Sequence, residues 1–200
     1  MRQFTRNNFL LIITLVLITG FTFAAQAQTQ KSAGIKTVDF SNFSYNTSFE
    51  PKTVKLTGGK FEDGGSYESG GTLYELFDKP VYGDLNGDKS EEAVVEIKMS
   101  GGTLRGFEVQ AYTFQKGAAK MLARIDDGRV LADYRKYYPK AYLHYAGNNP
   151  PMIQNGRVIV EALTEGDFAC PKYTAVFNYK LSGGKFILSG KPTRKNFNCS

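Results

Sequence analysis

Residues 84–92, Asp84-Leu85-Asn86-Gly87-Asp88-Lys89-Ser90-Glu91-Glu92, have the one spacing in this 200-residue chain that suggests a defined chemistry. Oxygen-bearing side chains alternate at Asp84, Asn86 and Asp88, and they converge on one point if the backbone curls tightly. Gly87 permits that curl. The backbone carbonyl of Ser90 and the carboxylate of Glu92 would then close the shell. Hard oxygen donors of this kind, with three negative charges, suit Ca²⁺ rather than a transition metal. The expected cofactor is therefore calcium in a structural role, because a closed shell leaves no position from which to polarise a substrate. Asp, Asn and Gly are also ordinary turn formers, and the same stretch makes a hairpin connection without any ion. The residues alone leave both readings open.

The stretch is not an EF-hand, whose loop needs Gly at its sixth position and a bidentate Glu at its twelfth; Lys89 and Val95 stand there. It resembles instead the short calcium loop of FG-GAP/VCBS-type repeats, as in integrin-α-like propeller blades, which run Asp-x-Asn-Gly-Asp-Gly-x-x-Asp into an aliphatic strand. The resemblance implies Asp84, Asn86, Asp88 and Glu92 as ligands, with Ser90 offering its carbonyl. Lys89 replaces the usual Gly and Glu92 the usual Asp, which places a positive charge beside the site and a side chain at a left-handed position. The pattern covers about 14 residues and occurs once, so no propeller is implied. More loosely, residues 84–124 are similar to small exported bacterial proteins of unassigned role, with one such loop, an Ala-Val-Val strand, a glycine-rich hairpin and an aromatic strand like Ala111-Tyr112-Thr113-Phe114.

A second concentration of chemistry lies at residues 133–151, where Tyr134, Tyr137, Tyr138, Tyr142 and Tyr145 stand among Arg135, Lys136, Lys140 and His144. Tyrosines beside cations stack on sugars or grip peptides, each ring offering an apolar face and a hydroxyl. Tyr134, Tyr138, Tyr142, His144 and Tyr145 form the candidate ligand surface. Packing over the core is the competing role for the same rings.

Catalytic signatures are sparse. The chain has no Gly-x-Ser-x-Gly elbow, no Gly-x-x-x-x-Gly-Lys-[Ser/Thr] loop and no Gly-x-Gly-x-x-Gly turn. A nucleophile activated by histidine would have to use His144, the single His. Acid pairs occur at Glu62/Asp63, Asp126/Asp127 and Glu165/Asp167, but neighbouring acids are normally solvated turn residues.

The amino-terminal residues read as an export signal. Arg2 and Arg6 precede an apolar run from Phe9 to Phe23, and Ala25-Gln26-Ala27 supplies a small-x-small cleavage pattern before Gln28. The run falls short of the roughly 20 apolar residues of a membrane span, and no Cys follows it for lipid attachment. Export to the periplasm or the exterior is expected, with membrane contact only through an uncleaved signal. Cleavage removes two Arg and no acid from a chain of net charge +6, leaving a mild basic surplus too scattered for nucleic acid. In an oxidising compartment Cys170 and Cys199 are expected to pair, stabilising the fold by roughly 3–4 kcal/mol through loop closure.

These groups must be positioned by strands. Residues 28–34 form a short polar lead-in, and residues 35–200 read as one mainly β domain, an antiparallel sheet or meander of short strands with at most one or two short helical turns. Expected strands run over residues 37–45, 52–56, 92–99, 106–115, 120–125, 157–163, 172–181 and 185–189. Residues 172–181 place Tyr173, Ala175, Phe177, Tyr179 and Leu181 on one face, and Ser182-Gly183-Gly184 turns them into the next strand. Residues 130–138 invite the one helix, stopped by Pro139. The expected function is a non-enzymatic binding or interaction module at the cell envelope, its partner an envelope or extracellular protein or glycan. An envelope hydrolase using His144 or an acid pair is the alternative.

Overall fold

A computed structural model describes residues 34–102 and 104–199. The export signal expected at residues 1–27, and all of the lead-in except Gly34, lie outside the described residues. Among the described residues the fold is mainly β, with antiparallel sheets, one α-helix, isolated 3-10 turns and no barrel.

The described residues open with 3-10 turns at Ile35–Thr37 and Phe40–Asn42, followed by a two-stranded ribbon, β1 (Ser44–Asn46) and β2 (Thr53–Lys55). The single strand expected over 37–45 is therefore corrected. Asp39 accepts hydrogen bonds from the Ser41 N–H and the Asn42 amide, and this local capping diverts the backbone into a turn. The first large sheet contains β3 (Lys60–Asp63), β4 (Thr72–Leu76), β5 (Val81–Gly83), β6 (Glu92–Gly101), β7 (Leu104–Gln115) and β8 (Ala118–Asp126). It runs β3-β4-β6-β7-β8, with β5 also paired to β6. Helix α1 (Asp127–Arg135) follows, and the second sheet holds β9 (Leu143–Ala146), β10 (Met152–Gln154), β11 (Arg157–Gly166), β12 (Pro171–Ser182), β13 (Lys185–Leu188) and β14 (Thr193–Asn196). Its order is β10-β11-β12-β13, with β9 also on β11 and β14 on β12.

Period-two patterning accounts for the long strands. On β12, Ala175, Phe177 and Tyr179 are buried on one face, as expected from the sequence. They join Val158, Val160 and Ala162 of β11 against Val94, Phe107, Val109, Ala111, Ala123 and Ile125 of the first sheet. The opposite face of the first sheet carries Ala93, Val95, Ile97 and Tyr112, packed under Ile35, Phe40, Tyr45, Val54 and Leu56. β6 is buried along Glu92–Ile97 without alternation because both its faces are covered.

Helix α1 starts earlier than the apolar pattern suggests. Asp126 caps it by accepting from the Arg129 N–H at 2.8 Å, and Val130 and Tyr134 pack into the core one turn apart. The helix also ends earlier than expected, at Arg135 with Lys136 as its C-cap, ahead of Pro139. The bond between Cys170 and Cys199 is formed and fastens the chain end beside the start of β12.

Two-sided burial traps Glu96, which is 4% exposed; among the described residues its Oε1 has no hydrogen-bond partner, and Lys98 Nζ lies 4.0 Å away. Burial pushes the carboxyl up from 4.5 to about 7, with Lys98 opposing the rise. A carboxyl raised in the folded state binds its proton more tightly there. Its neutral form therefore favours the fold at low pH, and this advantage is lost as pH climbs from 4.5 through about 7. Between about pH 5 and pH 8 the native protein should lose on the order of 3 kcal/mol more unfolding free energy than Glu96→Gln, read by urea denaturation across pH. Parallel pH profiles for the two proteins would contradict this.

Candidate functional site

The acidic loop is the hairpin connection between β5 and β6, whose register pairs Gly83 with Glu92. Leu85 is 5% exposed and anchors the loop in the core. Gly87 and Lys89 both have positive φ, 84° and 69°, so Lys89 occupies the left-handed position its place in the motif implied.

Asp84 works as a turn cap. Its Oδ1 accepts from the Asn86 and Gly87 N–H groups at 3.2 and 2.6 Å, and its Oδ2 from Lys89 N–H at 2.9 Å. Asp88 Oδ1 accepts from Ser90 N–H at 2.7 Å. The Asn86 amide nitrogen donates to Asp88 Oδ2 at 3.0 Å and to Glu92 Oε1 at 3.1 Å, while Glu92 Oε2 accepts from Leu85 N–H at 2.8 Å. Asn86, Asp88 and Glu92 thus meet, whereas the Asp84 oxygens are engaged by the loop backbone and Ser90 contributes its N–H. Among the described residues, no group of three or more His, Cys, Asp or Glu side chains is arranged to hold a metal.

The electrostatics of the loop are lopsided. Glu92 is fully buried, and burial raises its carboxyl above the usual value, with the charges of Asp88 and Asp84 adding to the rise. The Ser90 N–H and the Asn86 amide hold Asp88 below the usual value. Among the described residues no cationic side chain pairs with Glu92; the nearest loop ion pair joins Glu91 to Lys36 at 2.6 Å.

The tyrosine segment is divided between core and surface. Tyr134, expected at a ligand surface, is fully buried, because its place on α1 faces the second sheet. Its hydroxyl oxygen accepts from Arg194 Nε at 2.6 Å, which turns its proton toward Thr164 Oγ1 at 3.3 Å. Arg194, on β14, lies 3.4 Å from the Tyr138 ring centroid and 4.9 Å from that of Tyr173, and it pairs with Glu165. Arg194, Tyr138 and Glu165 border a groove of about 650 Å³, lined also by Tyr137, Lys140, Tyr142, Gly166 and Lys172. Tyr137 and Tyr142 are its most exposed rings, at 42% each.

The rim of the groove is the end of β11, where it leads into the β11–β12 turn. Glu165 and Gly166 both have positive φ, and a Cβ at residue 166 would approach the Cys170 carbonyl to 2.8 Å, so only glycine fits there. The Gly166 carbonyl accepts from the Tyr142 hydroxyl at 2.6 Å. His144 Nε2 faces the carbonyls of Glu165 and Gly166 at 3.1 and 3.2 Å; carbonyls only accept, so Nε2 carries the proton. Among the described residues His144 bonds no hydroxyl or carboxylate. Its ring stands edge-on to Tyr142 and Phe168. Tyr145 packs on Phe168 and lines a separate 140 Å³ cleft with Glu75, Lys98 and Arg105.

The acid pairs are scattered and engaged differently. Glu62 and Asp63 are exposed on β3, Asp126 caps α1, and Glu165 is held by Arg194. Sequence reasoning missed Arg194, Lys172 and Glu165 as groove residues. They sit in turns or at strand ends with no periodic signal, far along the chain from Tyr138.

Comparison with protein families, with curated proteins and with solved structures finds no match.

Because Asp84 satisfies three backbone N–H groups, Asp84→Ala should lower stability by about 1–2 kcal/mol, with Asp84→Asn intermediate, in urea melts without added metal. An unchanged midpoint for Asp84→Ala would show that the loop backbone does not depend on this carboxylate.

Proposed function

We propose that this chain is an exported, non-enzymatic β domain that acts as a binding or interaction module at the cell envelope, through the groove between Tyr138, Tyr142 and Arg194. The groove itself is the observation that carries the reading. Exposed rings at Tyr137 and Tyr142 stand beside Lys140 and Lys172, over a base made rigid by Arg194 and Glu165. A concave surface with apolar faces and a few fixed polar groups is the usual form of a ligand site. Export is supported by the intramolecular Cys170–Cys199 bond, a pairing characteristic of oxidising compartments. Among the described residues no helix is long and apolar enough to cross a membrane. The hydrolase alternative has no comparable support, since the one histidine donates to backbone carbonyls.

The acidic loop is assigned to Ca²⁺ in the same proposal. Asn86, Asp88 and Glu92 already meet, with two carboxylates, hard oxygen donors, set on either side of the Asn86 amide nitrogen. The Asn86 N–H group between two carboxylates occupies a place of negative potential, and among the described residues Glu92 is buried with no cationic partner. A bound calcium would supply charge neutralisation and rigidity at the β5–β6 turn. With a dissociation constant of about 10⁻⁴ to 10⁻³ M, usual for extracellular modules, Ca²⁺ at about 10 mM would add roughly 1.4–2.7 kcal/mol.

Two measurements test the reading. Thermal melts should show a Ca²⁺-dependent rise in Tm that Mg²⁺ does not reproduce and that Asp88→Ala/Glu92→Gln abolishes; equal Tm with and without Ca²⁺ removes the ion. For the binding role, purified protein should co-sediment with cell-envelope preparations from the organism that makes it. The bound fraction should fall at least fivefold in Tyr142→Ala/Lys172→Ala. Equal retention of the variant would move the binding surface elsewhere.

A further inference from the structure

We infer that the groove of the proposed binding module takes a carboxylate-bearing oligosaccharide, an inference that rests on that reading of the groove. The charge balance of the lining is the first ground. Lys140, Lys172 and Arg194 line it against one acid, Glu165, and that acid is committed to Arg194. Lys191 adds a further charge, its Nζ 4.9 Å from the Tyr138 ring centroid. Among the described residues Lys140, Lys172 and Lys191 have no acidic partner within ion-pair distance. A groove with uncompensated ammonium groups favours an anionic occupant.

The rings decide what kind of anion. Tyr137 and Tyr142 are exposed, each an apolar face with a hydroxyl at its edge, and a pyranose matches this with an apolar C–H face and equatorial hydroxyls. Tyr138 is already covered by the Arg194 guanidinium, so it stiffens the groove rather than contacting the ligand. An inorganic anion would leave those rings unused. The groove's 650 Å³ lies within the range of about 300–1,000 Å³ typical of ligand sites and has room for a short oligosaccharide.

An extended acidic peptide is the other anionic class, and the lining disfavours it. Peptides that bind sheets by strand addition need a row of free main-chain N–H and C=O groups along an edge. Here the lining comes from the segment between α1 and β9, the Glu165–Gly166 turn, and single residues of β12 and β14. The Gly166 carbonyl already accepts from Tyr142 and His144. Side-chain recognition by rings and ammonium groups is what the groove offers.

Isothermal titration of the protein against tri-galacturonate, neutral galactotriose and hexaglutamate tests this. Tri-galacturonate should bind at least tenfold more tightly than galactotriose, and the affinity should fall steeply in about 0.5 M NaCl. Two variants altered at exposed positions, Lys140→Gln/Lys172→Gln and Tyr137→Ala, should keep the native melting temperature and each lose at least tenfold in affinity. Equal binding of the two trimers, no heat from tri-galacturonate, or full affinity in Lys140→Gln/Lys172→Gln overturns the inference. Hexaglutamate binding more tightly than tri-galacturonate, with loss in the same variants, would keep the groove as the binding site and assign it to acidic peptides. Envelope co-sedimentation is independent of these titrations, so the binding-module reading stands or falls separately.

Discussion

Burial of β6 and β7 on both faces is the constraint on which the rest of the structure depends. A sheet covered on both sides must find two apolar partners. The second sheet supplies one through Phe177, Tyr179 and their neighbours, and residues 35–56 supply the other through Phe40, Tyr45, Val54 and Leu56. Polar groups on those strands have no water to turn to, so each must be satisfied inside or carry a penalty. Glu108 and Gln110 are satisfied and form a seam. Glu108 accepts from Ser48 N–H and from the Ser48 hydroxyl, and the Gln110 amide donates to Glu108 and to the Asn46 carbonyl, joining the amino-terminal layer to the sheet. Glu96 is not satisfied, and its raised carboxyl is the consequence.

The same constraint places the two candidate sites. Glu92 is the first residue of β6, so strand pairing with Gly83 draws the acidic loop onto the end of the doubly covered sheet and buries one carboxylate of the loop. The groove arises at the margin of the second sheet, where the segment that follows α1 meets the end of β11 and Tyr134 is drawn inward. Arg194 bridges the two elements. It donates to Tyr134, stacks on Tyr138 and Tyr173, and pairs with Glu165. A planar guanidinium serves such a position better than an ammonium, because stacking and in-plane hydrogen bonding are made at once. The disulfide fastens the chain only three residues beyond β14, which keeps Arg194 from leaving with a frayed terminus.

Much of this architecture was legible in the residues. The strands at 92–99, 106–115, 120–125, 157–163, 172–181 and 185–189 appear within a residue or two of their expected limits or extended beyond them. Each carries its own alternation or apolar run, and glycine-bearing turns separate most of them. Pairing of Cys170 with Cys199 followed from there being two cysteines and an expected oxidising destination. The short strands β3, β4, β5, β9, β10 and β14 were not legible. Three to five residues give too little periodicity, and such strands exist only because a longer neighbour offers them a hydrogen-bonding edge.

What the sequence determined by itself is local: the mainly β class, the curl of residues 84–92 around Gly87 and Lys89, a single short helix before Pro139, and the grouping of tyrosines at 134–145. Those features depend on backbone preferences and on periodicities of two or about four residues, which act over a few positions. Only the tertiary structure decided that Tyr134 belongs to the core while Tyr137 and Tyr142 face solvent. It alone set Asp84 to capping the loop backbone while Asn86, Asp88 and Glu92 meet. It also brought Arg194 and Glu165, 29 positions apart, onto one groove. Contacts between distant positions are set by strand register and sheet packing, which no window of neighbouring residues contains.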